Sequence, residues 1–96
     1  MRTMNLIVYE YLTKHSKKSF DQIYDYVKDE LFSSWKERFN NLEEVAIDEI
    51  KIAELYTMLT VDGHFTRQND ELWTLTENLT YEELKQSKIK VPENIE

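Results

Sequence analysis

Apolar side chains recur every three or four residues through the first two thirds of the chain, which is the spacing of amphipathic helices. A first helix is predicted over residues 4–14, with Thr3 as its N-cap. A second helix begins at Ser19, and a less regular stretch is expected over residues 33–40. Asn41 and Glu44 have the spacing of a capping box, so a third helix is predicted over residues 42–60. Its expected apolar stripe consists of Val45, Ile50, Ile52, Ala53, Tyr56 and Leu59.

After the third helix, the pattern changes from helical spacing to strand spacing. Gly63, the only glycine in the chain, follows Asp62 and is expected to adopt a positive φ angle where the helix ends. Strands are predicted near residues 64–67 and 71–74, joined by a polar turn at residues 68–70. The large side chains at strand spacing, which we expect to be structural, are Phe65, Trp73 and Leu75.

Helices followed by a hairpin predict a mainly α fold with a small C-terminal β-hairpin. This arrangement is winged helix-turn-helix-like, with three or four helices plus a wing. A short last helix is predicted over residues 77–86, anchored by Leu79, Tyr81 and Leu84. Residues 1–86 are therefore interpreted as one winged-helix domain and residues 87–96, which hold the only proline, as a tail.

The charge of the chain is negative and unevenly distributed. The formal net charge is −7, and residues 41–96 carry five basic side chains against thirteen acidic ones. A DNA-binding domain normally has a basic surface, because contacts with phosphates dominate its affinity. In a DNA-reading winged helix the third helix enters the major groove, yet here it offers Lys51 alone against five carboxylates. Strong direct DNA binding is therefore not expected. Those carboxylates are Glu43, Glu44, Asp48, Glu49 and Glu54.

The chain offers no recognisable catalytic or metal-binding pattern. It has no cysteine, and its two histidines, His15 and His64, lack the spacing of metal ligands. There is no nucleophile elbow and no glycine-rich phosphate loop. We therefore expect no catalytic residues, no metal and no cofactor. The absence of a signal-peptide pattern and of a long apolar run favours a cytoplasmic protein without membrane contact.

Two groups of side chains are candidates for contact surfaces. The tyrosines and tryptophans fall mostly on the apolar stripes, so they are better explained as core residues than as a stacking platform for bases. Lys14, Lys17 and Lys18 form the best candidate for contact with a polyanion or an acidic protein surface. For any one of these lysines, a place near a helix end or in a solvated loop is the more common role.

From Ala53 onward the residues match a known pattern. The matching positions are Ala53, Tyr56, Leu59, Asp62, Gly63, Phe65, Trp73, Leu75, Tyr81 and Leu84. In this pattern the chain resembles the N-terminal domain of the bacterial RNA polymerase delta subunit, a HARE-HTH module. The resemblance extends from about Met4 to Leu84 and is specific only after Ala53. His64 departs from it, because relatives commonly carry arginine there. Where the family has a long acidic tail linked to displacement of nucleic acid, this sequence has residues 87–96, with two lysines and two glutamates.

The resemblance implies a non-catalytic accessory subunit that binds the RNA polymerase core enzyme. Such a subunit promotes transcription specificity and recycling by lowering non-specific affinity for nucleic acid, and is expected to be a monomer outside the polymerase complex. The alternatives are a winged-helix DNA-binding transcription regulator and an interaction module outside transcription. Candidate polymerase contacts are Lys14, Lys17, Lys18 and Arg67. The structural signature is Tyr56, Leu59, Asp62, Gly63, Phe65, Trp73 and Leu75.

Overall fold

The computed structural model of the chain describes residues 2–85. The helices α1 (Met4–His15), α2 (Phe20–Arg38) and α3 (Glu44–Val61) precede a hairpin of β1 (Phe65–Arg67) and β2 (Trp73–Leu75). A 3₁₀ turn (Thr76–Asn78) and a short helix, α4 (Tyr81–Lys85), follow. The predicted fold class is confirmed, since the chain is mainly helical with a small antiparallel hairpin after the long helices. Among the described residues, no helix combines the length and apolar character needed to cross a membrane.

The first two helices begin where the sequence predicts. The Thr3 hydroxyl accepts a hydrogen bond from the backbone N–H of Leu6 at 3.3 Å. Ser19 and Gln22 form a reciprocal capping box, with Ser19 Oγ accepting at 3.2 Å and Gln22 Oε1 accepting at 3.0 Å. These caps satisfy backbone donors that have no partner within the helix, so each defines a start of its helix.

The predicted irregular stretch at residues 33–40 is wrong for most of its length. Helix α2 continues to Arg38, and Trp35 is buried in the core. Val27, Leu31 and Trp35 follow one another at i+4 spacing, so the buried face extends past the two serines at 33 and 34. The turn follows at residues 39–42.

Helix α3 buries a face that shares Leu59 with the predicted stripe but otherwise differs from it. Ile47 and Leu55 are buried beside Leu59, whereas Val45, Ile52, Ala53 and Tyr56 lie at the surface. Apolar residues occur around most of this helix, so spacing alone did not distinguish the two faces. The predicted capping box at Asn41 is also wrong, because the N-cap is Glu43 and its side chain makes no capping hydrogen bond.

The hairpin pairs its two strands antiparallel, with Phe65 opposite Leu75 and Arg67 opposite Trp73. Phe65, Trp73 and Leu75 are at most 3% exposed, as predicted. The second strand begins two residues later than predicted, after a turn closed by a 2.9 Å hydrogen bond from Gln68 N–H to the carbonyl of Leu72. The core of the described residues is completed by helical side chains: Ile7, Val8, Leu12, Ile23, Tyr24, Val27, Trp35, Ile47, Leu55 and Leu59.

The loop between α1 and α2 lies along the outer edge of β2. Lys18 N–H donates to the carbonyl of Trp73 at 3.1 Å, and Trp73 N–H donates to the carbonyl of Lys18 at 2.8 Å. The Thr74 hydroxyl donates to the carbonyl of Ser16 at 2.8 Å. The hairpin is therefore joined to the helices through the backbone as well as through apolar packing.

The predicted positive φ of Gly63 is wrong. Helix α3 ends at Val61, and its C-cap, Asp62, has an extended backbone conformation. The Asp62 carboxylate accepts a 2.9 Å hydrogen bond from the backbone N–H of His64. This aspartate-stabilised turn replaces a left-handed glycine cap. Within residues 2–85 the positive φ angles lie instead at Ser16 (66°), in the loop between α1 and α2, and at Glu71 (71°), in the turn of the hairpin.

The short last helix forms over a narrower range than predicted. Thr80 and Glu83 cap α4 reciprocally, at 3.1 Å and 2.8 Å. Leu79 and Leu84 are partly buried, but Tyr81 is 74% exposed and does not anchor the helix as predicted. The predicted tail at residues 87–96 lies outside the described residues, as do residues 1 and 86.

Replacing Trp73 with alanine removes a side chain that is 2% exposed, and is expected to lower the free energy of unfolding by about 3–5 kcal/mol. Tyr81→Ala removes an exposed ring and should change it by no more than about 0.5 kcal/mol. Urea denaturation followed by circular dichroism gives both values. Equal effects of the two substitutions would contradict the observed burial of Trp73.

Gly63→Ala is expected to raise the free energy of unfolding by about 0.4–1 kcal/mol, because the backbone of Gly63 suits an L-residue and alanine restricts the unfolded chain. A Cβ atom at position 63 would meet nothing within 4 Å. Ser16→Gly is the converse test, because Ser16 has a positive φ angle that glycine adopts without steric penalty. This substitution should not lower the free energy of unfolding. A loss above about 1 kcal/mol in Gly63→Ala would show that position 63 needs glycine after all.

Candidate functional site

Three of the four candidate polymerase contacts lie where the loop between α1 and α2 meets the hairpin. Lys17 and Lys18 are in that loop, and Lys14 is in the last turn of α1. Arg67 is at the end of β1 and pairs with Trp73, the residue that the backbone of Lys18 contacts. The structure thus brings Lys17, Lys18 and Arg67 to one region, and the sequence predicted neither the loop contact nor its geometry.

Acidic residues of the hairpin offset part of this basic region. Lys17 Nζ lies 3.8 Å from a carboxylate oxygen of Asp70, and Arg67 Nη1 lies 3.6 Å from one of Glu71. The guanidinium of Arg67 also lies over the Trp73 ring, 6.0 Å from its centroid. Ion pairs of this length at a surface are weak, so a partner of higher charge density can compete for the cations.

Arg67 is held more firmly than the lysines. Its Nε is buried and finds no hydrogen-bond acceptor among the described residues. An unpaired buried donor is unfavourable, and the contacts of this guanidinium are with the face of the Trp73 ring and, more weakly, with Glu71. Lys14 and Lys17 are exposed and are the more accessible members of the set, whereas Lys18, like Arg67, is partly buried.

A polar cluster that the sequence did not reveal joins α2 to α3. The Tyr24 hydroxyl donates to Asp48 Oδ1 at 2.6 Å, and Lys28 Nζ lies 3.0 Å from the same oxygen. Lys28 also pairs with Glu44. Lys28 and Asp48 flank the apolar stripes of their own helices, but nothing in the spacing along one helix indicates that the two residues pair.

The cluster changes the pKa values of its members in the directions that its charges dictate. The hydrogen bond from Tyr24 and the contact with Lys28 lower the pKa of Asp48, against a smaller opposing effect of burial. Burial, together with the hydrogen bond to Asp48, raises the pKa of Tyr24 well above its ordinary value. Hydrogen bonds to Glu44 and Asp48 raise the pKa of Lys28. At neutral pH Asp48 therefore stays negative, Lys28 stays positive and Tyr24 stays uncharged. The role of the three groups is to join α2 to α3.

Among the carboxylates of α3, Glu44 and Asp48 pair with Lys28 and Glu54 pairs with Lys51, whereas Glu49 has no ion pair within the described residues. Lys51, the only basic residue of this helix, pairs with Glu54 at 2.9 Å. Its ammonium lies 5.4 Å from the Trp35 ring centroid and 5.6 Å from that of Phe39, so it is directed toward the core side of the helix. Glu49 is exposed. A negative face in this position would repel the phosphates that a reading helix must approach.

A groove of about 550 Å³ lies between the start of α1 and the α3–β1 junction. Asp62 accepts hydrogen bonds there from the backbone of His64 and from Asn5 Nδ2, and the backbone bond is the main cause of its lowered pKa. His64 Nδ1 lies 2.8 Å from Asp62, and the Tyr9 hydroxyl donates to Glu77 at 3.0 Å. These polar groups satisfy one another, so the arrangement is structural. Within residues 2–85, no three acidic or histidine side chains converge in a way that could hold a metal ion.

Comparison with known proteins finds no matching family model, curated protein or solved structure. The residues that carry the delta-subunit resemblance can nevertheless be placed. Four of the seven signature residues are buried at the helix–hairpin junction: Leu59, Phe65, Trp73 and Leu75. Tyr56 contacts the edge of Trp73 at a centroid distance of 6.4 Å and is 41% exposed, while Asp62 accepts the junction hydrogen bonds. Gly63 makes no close contact at its Cα.

Tyr24→Phe is expected to lower the free energy of unfolding at pH 7 by roughly 1.5–3 kcal/mol, because it removes a hydrogen bond to a charged carboxylate. The pKa of Asp48 is lowered in the folded state, so its stabilising contribution is present above the ordinary carboxyl value of 3.8 and is lost below it. The difference between wild type and Tyr24→Phe should therefore shrink as the pH falls from 6 to below 3.

Urea denaturation across this pH range provides the measurement. Tyr26→Phe is the matched control, since the Tyr26 ring stacks on Tyr11 at 4.1 Å and is not part of the cluster. A stability difference for Tyr24→Phe that does not change with pH would contradict the assigned role of Asp48.

Proposed function

We propose that this chain is a delta-type accessory subunit of bacterial RNA polymerase, without catalytic residues of its own, and that its folded domain binds the core enzyme. The observation that carries this proposal is the position of the resemblance residues. These residues lie in one continuous unit that consists of the end of α3, the Asp62 turn and the hairpin. The apolar ones supply the buried side chains of this unit. A protein with this function acts in the cytoplasm, as a monomer until it meets polymerase.

The electrostatics of the described residues support an effect on nucleic acid that does not require binding it. The loop lysines provide a basic region for docking on an acidic protein surface, and the outward face of α3 carries Glu49, an exposed carboxylate without an ion pair within the described residues. A domain docked through the loop lysines presents the outward face of α3 to the nucleic-acid channels of polymerase. Alternatively, that face competes with nucleic acid for basic protein surfaces there. Either effect lowers the non-specific affinity of polymerase for nucleic acid and so favours specific initiation and recycling.

A DNA-binding regulator is the competing interpretation, because the scaffold is winged-helix-like. Such a regulator would place α3 against the major groove, where Glu49 would face phosphates with no cation of α3 directed outward. Specific binding would then depend on the loop and the hairpin alone. The sign of the α3 surface therefore favours a protein partner.

The decisive experiment measures binding of the purified chain to bacterial RNA polymerase core enzyme, with a labelled DNA duplex titrated in parallel at several salt concentrations. Binding to core without measurable duplex affinity is the expected result. Duplex binding with a steep salt dependence, in the absence of core binding, would replace the proposal with the DNA-binding regulator.

Combined charge reversal at Lys14, Lys17 and Lys18 is expected to weaken core binding by about tenfold or more, roughly 1.4 kcal/mol, while leaving the fold intact. The fold should survive because Lys18 contacts the hairpin through its backbone and the lysine side chains are not part of the core. Lys85→Glu, an exposed lysine on α4, is the matched control and should leave affinity unchanged. Unchanged core affinity in the triple variant would remove the loop from the docking site.

A further inference from the structure

Helix α3 carries a row of large apolar side chains on its outward face. Val45 is 66% exposed, Ile52 is 40% exposed and Tyr56 is 41% exposed. With Glu49 they follow at i, i+4, i+7 and i+11, so the four side chains lie along one side of the helix over about 16 Å. We call these four residues the α3 row. Isolated apolar residues at a surface are ordinary, but a row at this spacing is the pattern that helix-binding surfaces use.

The α3 row is separate from the core-facing side of the same helix. Ile47, Leu55 and Leu59 face inward and are fully buried. One end of the row is held in place, because the Tyr56 ring meets the edges of Phe20 and Trp73 at centroid distances of 5.7 Å and 6.4 Å. The row is therefore a rigid platform on a well-packed helix, and binding to it requires little ordering of this chain.

The charges around the α3 row are predominantly negative. Glu49 lies within the row, and Asp21 and Asp25 are exposed on the adjacent helix α2. Asp21 follows Phe20, whose ring meets Tyr56, and Asp25 follows Tyr24, whose hydroxyl bonds Asp48, so this acidic part of α2 runs beside α3. Lys28 is already shared between Glu44 and Asp48.

The nearest lysines do not neutralise the row. Lys51 pairs with Glu54 and points toward Trp35 and Phe39 on the other side of α3. Lys18 precedes the Phe20 end of the row, but its ammonium lies 5.8 Å from the Tyr11 ring centroid and so is directed toward α1. The α3 row is therefore bordered by carboxylates, and Lys51, the lysine of α3, is not available to neutralise them.

We propose that the α3 row binds a basic amphipathic segment of another protein, with apolar residues at helical spacing and Lys or Arg beside them. Apolar contacts with Val45, Ile52 and Tyr56 would supply affinity, and Glu49 with the α2 aspartates would select positive charge. A second copy of this chain fits poorly, because pairing two α3 rows would bring their carboxylates together. Nucleic acid fits poorly for the same reason, since its phosphates would meet the acidic border.

The test uses two synthetic helical peptides of equal length, one built from leucine and lysine and the other from leucine and glutamate. Each is titrated into the ¹⁵N-labelled chain, with amide shifts recorded and affinities measured by calorimetry. The Leu/Lys peptide should shift amides along residues 45–56 of α3, and the Leu/Glu peptide should not bind. No polymerase is present, so failure here is distinguishable from failure of core binding.

Variants separate a specific row from general attraction between opposite charges. Val45→Ser with Ile52→Ser should weaken Leu/Lys binding by at least about tenfold, and both positions are exposed enough for the fold to tolerate serine. Val61→Ser is the matched control, because Val61 is 74% exposed on the opposite side of α3, and it should leave affinity unchanged. Glu49→Gln should weaken binding and reduce its salt dependence, whereas Glu54→Gln, at the Lys51 pair, should do neither.

Three results would overturn the assignment. One is a set of amide shifts that maps away from residues 45–56. Another is equal loss of affinity in the Val61 control and in the double serine variant. The third is a dimer in sedimentation equilibrium that the double serine variant abolishes, because this would show that the row binds a second copy.

Discussion

The packing of Trp73 holds together parts of the chain that are otherwise independent. Its ring contacts Tyr56 on α3, its backbone pairs with Lys18 before α2, and the Arg67 guanidinium lies over its face from β1. A hairpin of two three-residue strands has too little surface to be stable alone in water. Trp73 supplies both the buried area and the backbone contacts that attach the hairpin to the helices. The position of the candidate contacts at the hairpin therefore depends on this residue, with the Thr74–Ser16 hydrogen bond and the buried Phe65 and Leu75 adding to the attachment.

Much of the fold could be predicted because its signals are local. Thr3 and Ser19 cap helices through side chains that reach only three residues along the chain, and Phe65, Trp73 and Leu75 alternate as strand residues do. The prediction failed where two local solutions are similar in energy. Helix α3 has apolar residues on both faces, so the choice between Ile47 and Val45 depends on which face meets α1 and α2. Gly63 shows another such failure, because the Asp62 side chain closes the turn without a left-handed residue.

The candidate surfaces were predicted in composition more than in geometry. The sequence identified Lys14, Lys17 and Lys18 as a basic group, but only the fold shows that Asp70 approaches Lys17 from the hairpin. Likewise, the acidic character of α3 was evident in the sequence. That its lysine is turned toward Trp35 and Phe39 depends on contacts between separate helices. Long-range pairs such as Tyr24 with Asp48 have no signature in the spacing of residues along one helix.

The pairing between Lys18 and Trp73 has a consequence for how the chain reaches its native state. These residues are about 55 positions apart, and their mutual hydrogen bonds close a loop that contains α2, α3 and the first strand. Such a contact has no neighbouring contact in sequence to initiate it, so it depends on the packing of the helices that it joins. The hairpin is thus attached to the helices cooperatively with the packing of the whole domain. Its amide hydrogens should exchange with solvent through global unfolding, so that this short wing, despite its position near the end of the described chain, reports the stability of the entire domain.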